Sequence, residues 1–201
     1  MRDPNEAILV IDVQNDFCPG GALAVDGGDQ IIAPINALVP EFAVRVFTQD
    51  WHPRDHLSFA SQHSGAEPFT LTQLAYGPQV LWPDHCLIGS DGASFHGDLD
   101  TRSADLIVRK GFRREIDSYS AFFENDHKTP TGLEGYLRNR GVAAVTLVGL
   151  ATDYCVNYSA LDAAKLGFRV TVVQELCRAI DLHGSLHEAL TDMKDAGVTL
   201  T

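Results

Sequence analysis

In this 201-residue sequence, four side chains that can do chemistry each come at or just after the end of a short apolar segment. Asp12 closes AILVID, Asp50 closes VRVFTQD, Lys110 closes ADLIVRK, and Cys155 follows AAVTLVGLATDY. In an open parallel sheet, ligands bind in the crevice beyond the carboxyl ends of the strands, where residues distant in sequence converge. An acid, a lysine and a cysteine at such an edge indicate nucleophilic catalysis. Asp50 together with His52 indicates a metal site beside them.

The apolar segments that position these residues are short and rich in Val and Ile, which is typical of strands buried on both faces. They recur at 7–13, 43–49, 105–109, 143–149, 169–173 and 198–200. Helical patterns lie between them at 29–42, about 131–140, 156–167 and 185–197. This alternation predicts an α/β fold, a three-layer α/β/α sandwich around a doubly wound, mainly parallel six-stranded sheet.

The length and the 45% hydrophobic content predict a single domain over residues 1–201. Within it, a long excursion at about 51–104 is irregular in pattern and rich in His, Pro, Gly and Ser. Connections longer than about 12–15 residues without secondary structure are uncommon unless they are functional or disordered. Because this excursion starts at the proposed metal site, we expect it to build part of that site.

Charge and composition restrict the partners. The formal net charge of -12 disfavours nucleic acid and anionic membrane surfaces, which both attract clustered Lys and Arg. No segment reaches transmembrane length, and the N-terminal segment does not have the pattern of a signal peptide. We therefore expect a cytoplasmic protein with a small-molecule substrate and four reduced cysteines. The sequence leaves the oligomeric state open, a homo-oligomer included.

Cys155 is the strongest candidate nucleophile. The strand before it and the helical pattern after it place its sulfur in the first turn of a helix, where the helix dipole lowers a thiol pKa. Backbone N–H groups at that turn could hold an oxyanion. Asp12 could accept the thiol proton, and Lys110 could stabilise the thiolate or keep Asp12 ionised. The alternative is a buried structural cysteine, and the expected proximity of Asp12 and Lys110 disfavours it.

Asp50 and His52 leave the same face of an extended segment and can therefore bind one ion. The third ligand could be His56, His63 or His85, and His85 is favoured because the WPDHC segment places it near a tryptophan that could wall an aromatic ligand. One carboxylate with imidazoles suits a divalent zinc, iron or manganese ion. Loop capping without a metal is the alternative for a lone Asp-x-His pair.

Five segments together resemble the nicotinamidases of the isochorismatase-like, or cysteine amidohydrolase, superfamily, from end to end of the chain. They are DVQNDFCPGGALAV at 12–25, TQDWHP at 48–53, WPDHC at 82–86, RKG at 109–111 and GLATDYCV at 149–156. The resemblance implies a catalytic triad of Asp12, Lys110 and Cys155. It also implies metal ligation by Asp50, His52 and His85, with His56 either a further ligand or a residue behind the ligands.

The same resemblance implies that Phe17, Leu23, Trp82 and Tyr119 wall the pyridine pocket. It further implies a cis peptide before Ala151, which turns the N–H groups of Ala151 and Cys155 towards an oxyanion. The expected reaction is hydrolysis of nicotinamide to nicotinate and ammonia through a cysteine thioester, with a metal orienting the ring and pyrazinamide also accepted.

Three alternatives stay open beside this reaction. The first is another cysteine amidohydrolase of the superfamily, acting on a different small amide or ureido compound. The second, the isochorismatase reaction, does not use a cysteine thioester, and Cys155 disfavours it. The third is a thiol sensor or small-ligand binding module on the same fold, which would release no ammonia and would not need Lys110.

Overall fold

The computed structural model describes residues 3–201, which are built around a six-stranded parallel sheet. Its strands are β1 (Glu6–Ile11), β2 (Val44–Asp50), β5 (Leu106–Lys110), β6 (Ala144–Leu150), β7 (Arg169–Arg178) and β8 (Thr199–Leu200). A separate antiparallel hairpin consists of β3 (Leu71–Leu74) and β4 (Gly77–Val80). The helices are α1 (Ile32–Leu38), α2 (Leu133–Asn139), α3 (Asn157–Lys165) and α4 (Ser185–Asp195).

Across the sheet the strands lie in the order β5, β2, β1, β6, β7, β8. The chain passes from β1 to β2 through α1, and from β6 to β7 through α3, in opposite directions along the sheet. Because such crossover connections are right-handed, this reversal puts helices on both faces of the sheet. The predicted doubly wound, three-layer α/β/α sandwich is therefore confirmed. The crevice of such a sheet lies where the direction reverses, at the carboxyl ends of β1 and β6.

Burial explains why these segments are strands. Residues 7–11 of β1 and all of β6 are buried, as expected of central parallel strands covered on both faces. In β5, at the edge of the sheet, exposed and buried side chains alternate from Ile107 to Lys110. The three strands β1, β2 and β5 end with Asp12, Asp50 and Lys110 at or just beyond their last residue. The three polar groups therefore lie together at the carboxyl-terminal ends of the parallel strands.

Several element bounds differ from the predictions. The α-helix expected over 29–42 occupies only Ile32–Leu38, and a 3₁₀ turn over Val39–Glu41 follows it. Pro40 lies in that turn, and its missing N–H and its ring do not allow the α-helix to continue. The hairpin of β3 and β4 was not expected, since the excursion at 51–104 shows only weak apolar alternation. It gives that excursion ordered structure of its own.

All four cysteines, Cys18, Cys86, Cys155 and Cys177, are free and buried. Among residues 3–201, no helix combines the length and the apolar character that crossing a membrane would require.

Candidate active site

Asp12 lies directly after β1 with a positive φ of 47° and is fully buried. The Thr48 hydroxyl donates to Asp12 Oδ1 at 2.5 Å and accepts the Asp12 backbone N–H at 3.1 Å. The other carboxylate oxygen, Oδ2, lies 2.8 Å from Lys110 Nζ. Thr48 therefore fixes one oxygen of the carboxylate while the lysine ammonium faces the other.

Lys110 occupies the centre of the site, fully buried at the end of β5. Its ammonium lies 2.8 Å from Asp12 Oδ2, 2.5 Å from Asp50 Oδ1 and 3.3 Å from Cys155 Sγ. It also donates to the Ser118 carbonyl at 2.9 Å. The predicted triad of Asp12, Lys110 and Cys155 is thus gathered around a single nitrogen atom.

The two carboxylates beside Lys110 differ in their acidity. Burial raises the pKa of Asp12 above its ordinary value, although Lys110 opposes this shift. Burial would also raise the pKa of Asp50, but Lys110 and the imidazoles of His52 and His85 hold it well below the ordinary value. Burial alone would lower the pKa of Lys110, yet Asp12 and Asp50 raise it well above normal. Asp12 is therefore the carboxylate better matched to proton transfer.

Cys155 lies in a π-helical turn, Thr152–Val156, between β6 and α3. The turn closes through hydrogen bonds from the Tyr154 and Val156 N–H groups to the Ala151 carbonyl, both at 3.1 Å. The peptide bond between Leu150 and Ala151 is cis, as the resemblance implies. Ala151 and Cys155 then face the same cavity.

The prediction that the Cys155 pKa is lowered is wrong for the protein without bound metal or substrate. Burial raises the pKa of the thiol well above its ordinary value, with Lys110 opposing and Asp12 and Asp50 adding to the rise. The free terminus of a regular α-helix was expected here, whereas the sulfur lies in a π-helical turn among buried carboxylates. The resting thiol is therefore protonated and needs a base before it can attack.

Asp50, His52 and His85 bring their ligand atoms together at the end of β2, within 4.8 Å of one another. Asp50 Oδ2 lies 3.6 Å from His52 Nε2 and 3.8 Å from His85 Nε2. The Nδ1 atoms of the two histidines lie 2.8 Å from the carbonyls of Gly111 and Pro83, respectively. A carbonyl only accepts, so each Nδ1 carries the proton and each Nε2 keeps its lone pair for a metal.

This donor set fits a divalent metal ion. Two imidazole nitrogens and one carboxylate oxygen converge, all three side chains are buried, and both rings are held from behind by backbone carbonyls. Such a combination suits zinc, iron or manganese and leaves coordination positions open for water or substrate.

The other two histidines considered as third ligands are engaged elsewhere. The His56 ring lies 4.5 Å from the His52 ring, but its Nδ1 accepts from the Ser58 N–H at 3.2 Å and its Nε2 lies 3.3 Å from the Ile116 carbonyl. Burial lowers the pKa of His56 to about 4, so the ring is neutral. His63 Nε2 lies 2.8 Å from the Leu57 carbonyl. Only His85 joins Asp50 and His52 at Asp50 Oδ2.

A partly open cavity adjoins both groups of residues. Its walls include the four predicted ring contacts together with Asp50, His85, Ala151 and Cys155. The four are Phe17, Leu23, Trp82 and Tyr119. Trp82 Nε1 donates to the Tyr119 hydroxyl at 3.1 Å, and the two rings meet edge to face. A mostly apolar cavity is therefore lined by the nucleophile candidate Cys155 and by the proposed metal ligands Asp50 and His85.

Several residues of the site were not predicted. Asp117, Tyr154 and Ile180 also line the cavity, Thr48 orients Asp12, and Gly111 supplies the carbonyl behind His52. Thr48 could have been found, since it stands two residues before Asp50 on one strand and hence on the same face. Asp117 and Ile180 lie outside the strands and helices, where neither periodicity nor a strand end marks them.

Comparison with known proteins agrees with this geometry. The family model described as the isochorismatase domain matches residues 6–201. The nicotinamidase of Acinetobacter baylyi is 55% identical over 194 residues, which cover 96% of this chain and 91% of that protein. The nicotinamidase of Escherichia coli is 44% identical over an alignment that covers 98% of this chain and 94% of that protein.

Solved structures match over the same length. A nicotinamidase and pyrazinamidase from Acinetobacter baumanii has a TM-score of 0.98 at 52% identity and covers 100% of this chain and 97% of its own. PnC1 from L. infantum in complex with nicotinate has a TM-score of 0.86 at 38% identity, with 98% and 92% covered. Pyrococcus horikoshii pyrazinamidase in complex with zinc has a TM-score of 0.79 at 35% identity, with 98% and 99% covered. The chain therefore belongs to the isochorismatase family.

Proposed function

We propose that this protein is a nicotinamidase, which hydrolyses nicotinamide to nicotinate and ammonia. The observation that carries the proposal is the arrangement of Asp12, Lys110 and Cys155 around one nitrogen atom, with Cys155 in the wall of a mostly apolar cavity. Two relatives, at 55% and 44% identity, are nicotinamidases, and a structural neighbour holds nicotinate. Another small amide or ureido compound is the alternative substrate.

In the proposed reaction Asp12 takes the proton of Cys155, and the thiolate attacks the carboxamide carbon of nicotinamide. The raised pKa of Asp12 suits this transfer, and the Lys110 ammonium 3.3 Å from Sγ stabilises the thiolate as it forms. The oxyanion of the tetrahedral intermediate accepts from the N–H groups of Ala151 and Cys155. These donors are fixed in the backbone before the reaction begins.

Collapse of the intermediate breaks the C–N bond, and Asp12 returns its proton to the leaving ammonia. The product of this step is a thioester between Cys155 and the nicotinoyl group. A water molecule that Asp12 deprotonates then attacks the thioester carbon. The C–S bond breaks, Asp12 returns the water proton to the sulfur, and the acid leaves as nicotinate after losing its own proton to the ammonia released earlier or to water, which restores the resting state.

Asp50, His52 and His85 are the residues that we propose to hold a divalent metal ion. These residues would supply, with the ion bound, a Lewis acid towards the pyridine nitrogen that would help orient the ring. A zinc-bound pyrazinamidase among the neighbours supports this assignment for zinc. Phe17, Leu23, Trp82 and Tyr119 would confine the faces and edges of the ring, so that the carboxamide points to Cys155. The pocket would accept pyrazinamide by the same contacts.

We further propose that residues 1–201 form one domain, of which residues 1 and 2 lie outside the described part, and that the 51–104 excursion builds the site. Its residues His52, Trp82 and His85 all face the cavity or the proposed metal. Four free cysteines fit a reducing compartment, and we place the enzyme in the cytoplasm. Light scattering would establish whether it forms a homo-oligomer.

An ammonia-release assay on the purified protein tests the function. Nicotinamide with zinc, iron(II) or manganese(II) supplied in turn should release ammonia, and Cys155→Ala should reduce the rate to background while circular dichroism stays unchanged. Cys177→Ala is the matched control, since Cys177 is equally buried but lies in β7 and outside the cavity walls. Release from ureido compounds but not from nicotinamide would establish the alternative, and release from neither would reject amidohydrolase activity.

A further inference from the structure

Gln79 is an unexpected buried residue on the small hairpin. Of the eight residues in β3 and β4, all of them within the described chain, Gln79 alone is buried, with 1% of its surface exposed. A two-stranded hairpin has no core of its own and depends on contacts elsewhere. Gln79 is therefore the point at which this hairpin is attached to the body of the protein.

The Gln79 amide connects the hairpin to the cavity wall. Its Nε2 lies 2.9 Å from Asp117 Oδ2, 2.9 Å from the Tyr119 hydroxyl and 2.7 Å from the Val80 carbonyl. A carboxylate and a carbonyl only accept hydrogen bonds, so the orientation of the amide is determined by its partners. The amide oxygen accepts from the Tyr76 hydroxyl at 2.9 Å. Every polar atom of the side chain is thus engaged.

Asp117 and Tyr119 both line the cavity, whereas Gln79 does not. The Tyr119 hydroxyl accepts from Trp82 Nε1 at 3.1 Å and lies 2.9 Å from Gln79 Nε2, whose two hydrogens are shared among three acceptors, so its oxygen is held between two nitrogens. The Tyr119 ring in turn contacts Tyr154 edge to face, at 5.4 Å between centroids. A shift of Gln79 would therefore be transmitted to three walls of the cavity without any contact with the substrate.

We propose that Gln79 is a positioning residue that sets the specificity of the site for the ring of its substrate. It holds Tyr119 and Asp117 at the distance that fits an unsubstituted six-membered ring. Loss of its hydrogen bonds leaves the Tyr119 wall free to move outwards and admits a larger ring. This inference rests on the proposed nicotinamidase function, because it assumes that the cavity binds the pyridine ring.

The test compares nicotinamide with 5-methylnicotinamide, as the ratio of the two kcat/KM values. This ratio does not depend on the fraction of correctly folded enzyme, so a merely structural role would leave it unchanged. One methyl group in a fitted pocket is worth roughly 10–200-fold in kcat/KM. Gln79→Met keeps the length of the side chain and should raise the methyl-to-parent ratio about tenfold, within that range, with a higher KM for nicotinamide.

Gln73→Met is the matched control, because Gln73 lies on the opposite strand of the hairpin and is exposed. Among the described residues, its side chain donates only to the carbonyl of its neighbour Leu74. Its ratio should equal that of the wild type. Tyr76→Phe removes one donor to the amide oxygen, which Asn125 Nδ2 still contacts at 3.3 Å, and it also removes the acceptor of the Asp117 N–H. It should shift the ratio in the same direction by a smaller factor.

Two failures can be told apart. If the wild-type enzyme releases no ammonia from nicotinamide, the proposed function fails before any variant is compared. If the wild type is active but the ratio for Gln79→Met stays within twofold of it, the role of Gln79 alone is overturned. If Gln79→Met does not fold, Tyr76→Phe decides the matter, since an unchanged ratio in that variant also overturns the proposal.

Discussion

Gly111→Ala should weaken metal binding far more than its effect on the backbone would suggest. Gly111 follows Lys110 with a φ of +68°, and a Cβ placed there would lie 2.3 Å from Cε1 and 2.7 Å from Nδ1 of His52. Carbon atoms pack at about 3.5–4.0 Å, so the imidazole would have to move by more than about 1 Å. Its ring is enclosed by His56, Phe59 and His85, with centroids 4.5–5.4 Å away. The displacement would therefore break the hydrogen bond to the Gly111 carbonyl.

The backbone and the contact make separate contributions. A non-glycine residue in the left-handed region costs about 1–2 kcal/mol, which would lower Tm by roughly 2–8 °C in a protein of this size. Disturbing the group that orients a metal ligand lowers metal affinity about 10–100-fold. Gly111→Ala should show both losses. Gly141→Ala should show only the first, because Gly141 has a φ of +71° and its added Cβ would reach Asn5 Oδ1 only at 4.0 Å.

The assay is zinc binding to the metal-free protein by isothermal titration calorimetry, with elemental analysis of the loaded protein and Tm by scanning fluorimetry. Equal Tm losses with an unchanged zinc affinity in Gly111→Ala would refute the reasoning, since His52 would then not depend on that space. If the wild-type protein binds no divalent metal, the proposed ligand set itself is wrong.

Three further predictions concern the buried polar groups. Thr48→Val removes a hydrogen bond that stabilises ionised Asp12, so the pKa of Asp12 should rise further. The acid limb of the pH profile of kcat/KM, measured at saturating metal, should then move to higher pH, and an unmoved limb would contradict this. Lys110→Met leaves two buried carboxylates without their cation and should lower the free energy of unfolding by about 3–5 kcal/mol. The Tm should fall by roughly 6–20 °C, and a smaller loss would mean that one carboxylate is neutral. Asp153→Ala removes the acceptor of three hydrogen bonds from the 180–185 segment and should speed amide exchange there, whereas unchanged exchange would deny Asp153 that role.

The strand ends were predictable because burial on both faces leaves a continuous apolar run, and a charged residue after it is conspicuous. This pattern identified Asp12, Asp50 and Lys110, and parallel topology alone required them to converge. The apolar runs do not specify the pocket walls. Trp82 and Tyr119 belong to irregular segments, so their expected place came from the family resemblance, and the structure puts both at the cavity.

What the sequence could not specify are features that depend on several segments at once. The π-helical turn around Cys155 has the same residue pattern as an α-helical start, so the expected lowering of the thiol pKa failed where burial was decisive. The hairpin of β3 and β4 has few apolar residues and is attached through the buried side chain of Gln79. Its partners Asp117 and Tyr119 lie about 40 residues further along the chain, where no periodic pattern links them.

The assignment of roles to the two carboxylates follows from their surroundings. Asp12 and Asp50 are both buried and both contact Lys110, so neither burial nor the lysine distinguishes them. Asp50 faces two imidazoles in addition, which favour its ionised form, while Asp12 has one hydroxyl donor. Their pKa values are therefore pushed in opposite directions, the arrangement by which acid and base roles are separated in one site. The carboxylate held at low pKa suits a cation as its permanent partner, and the one held at raised pKa suits the proton of Cys155.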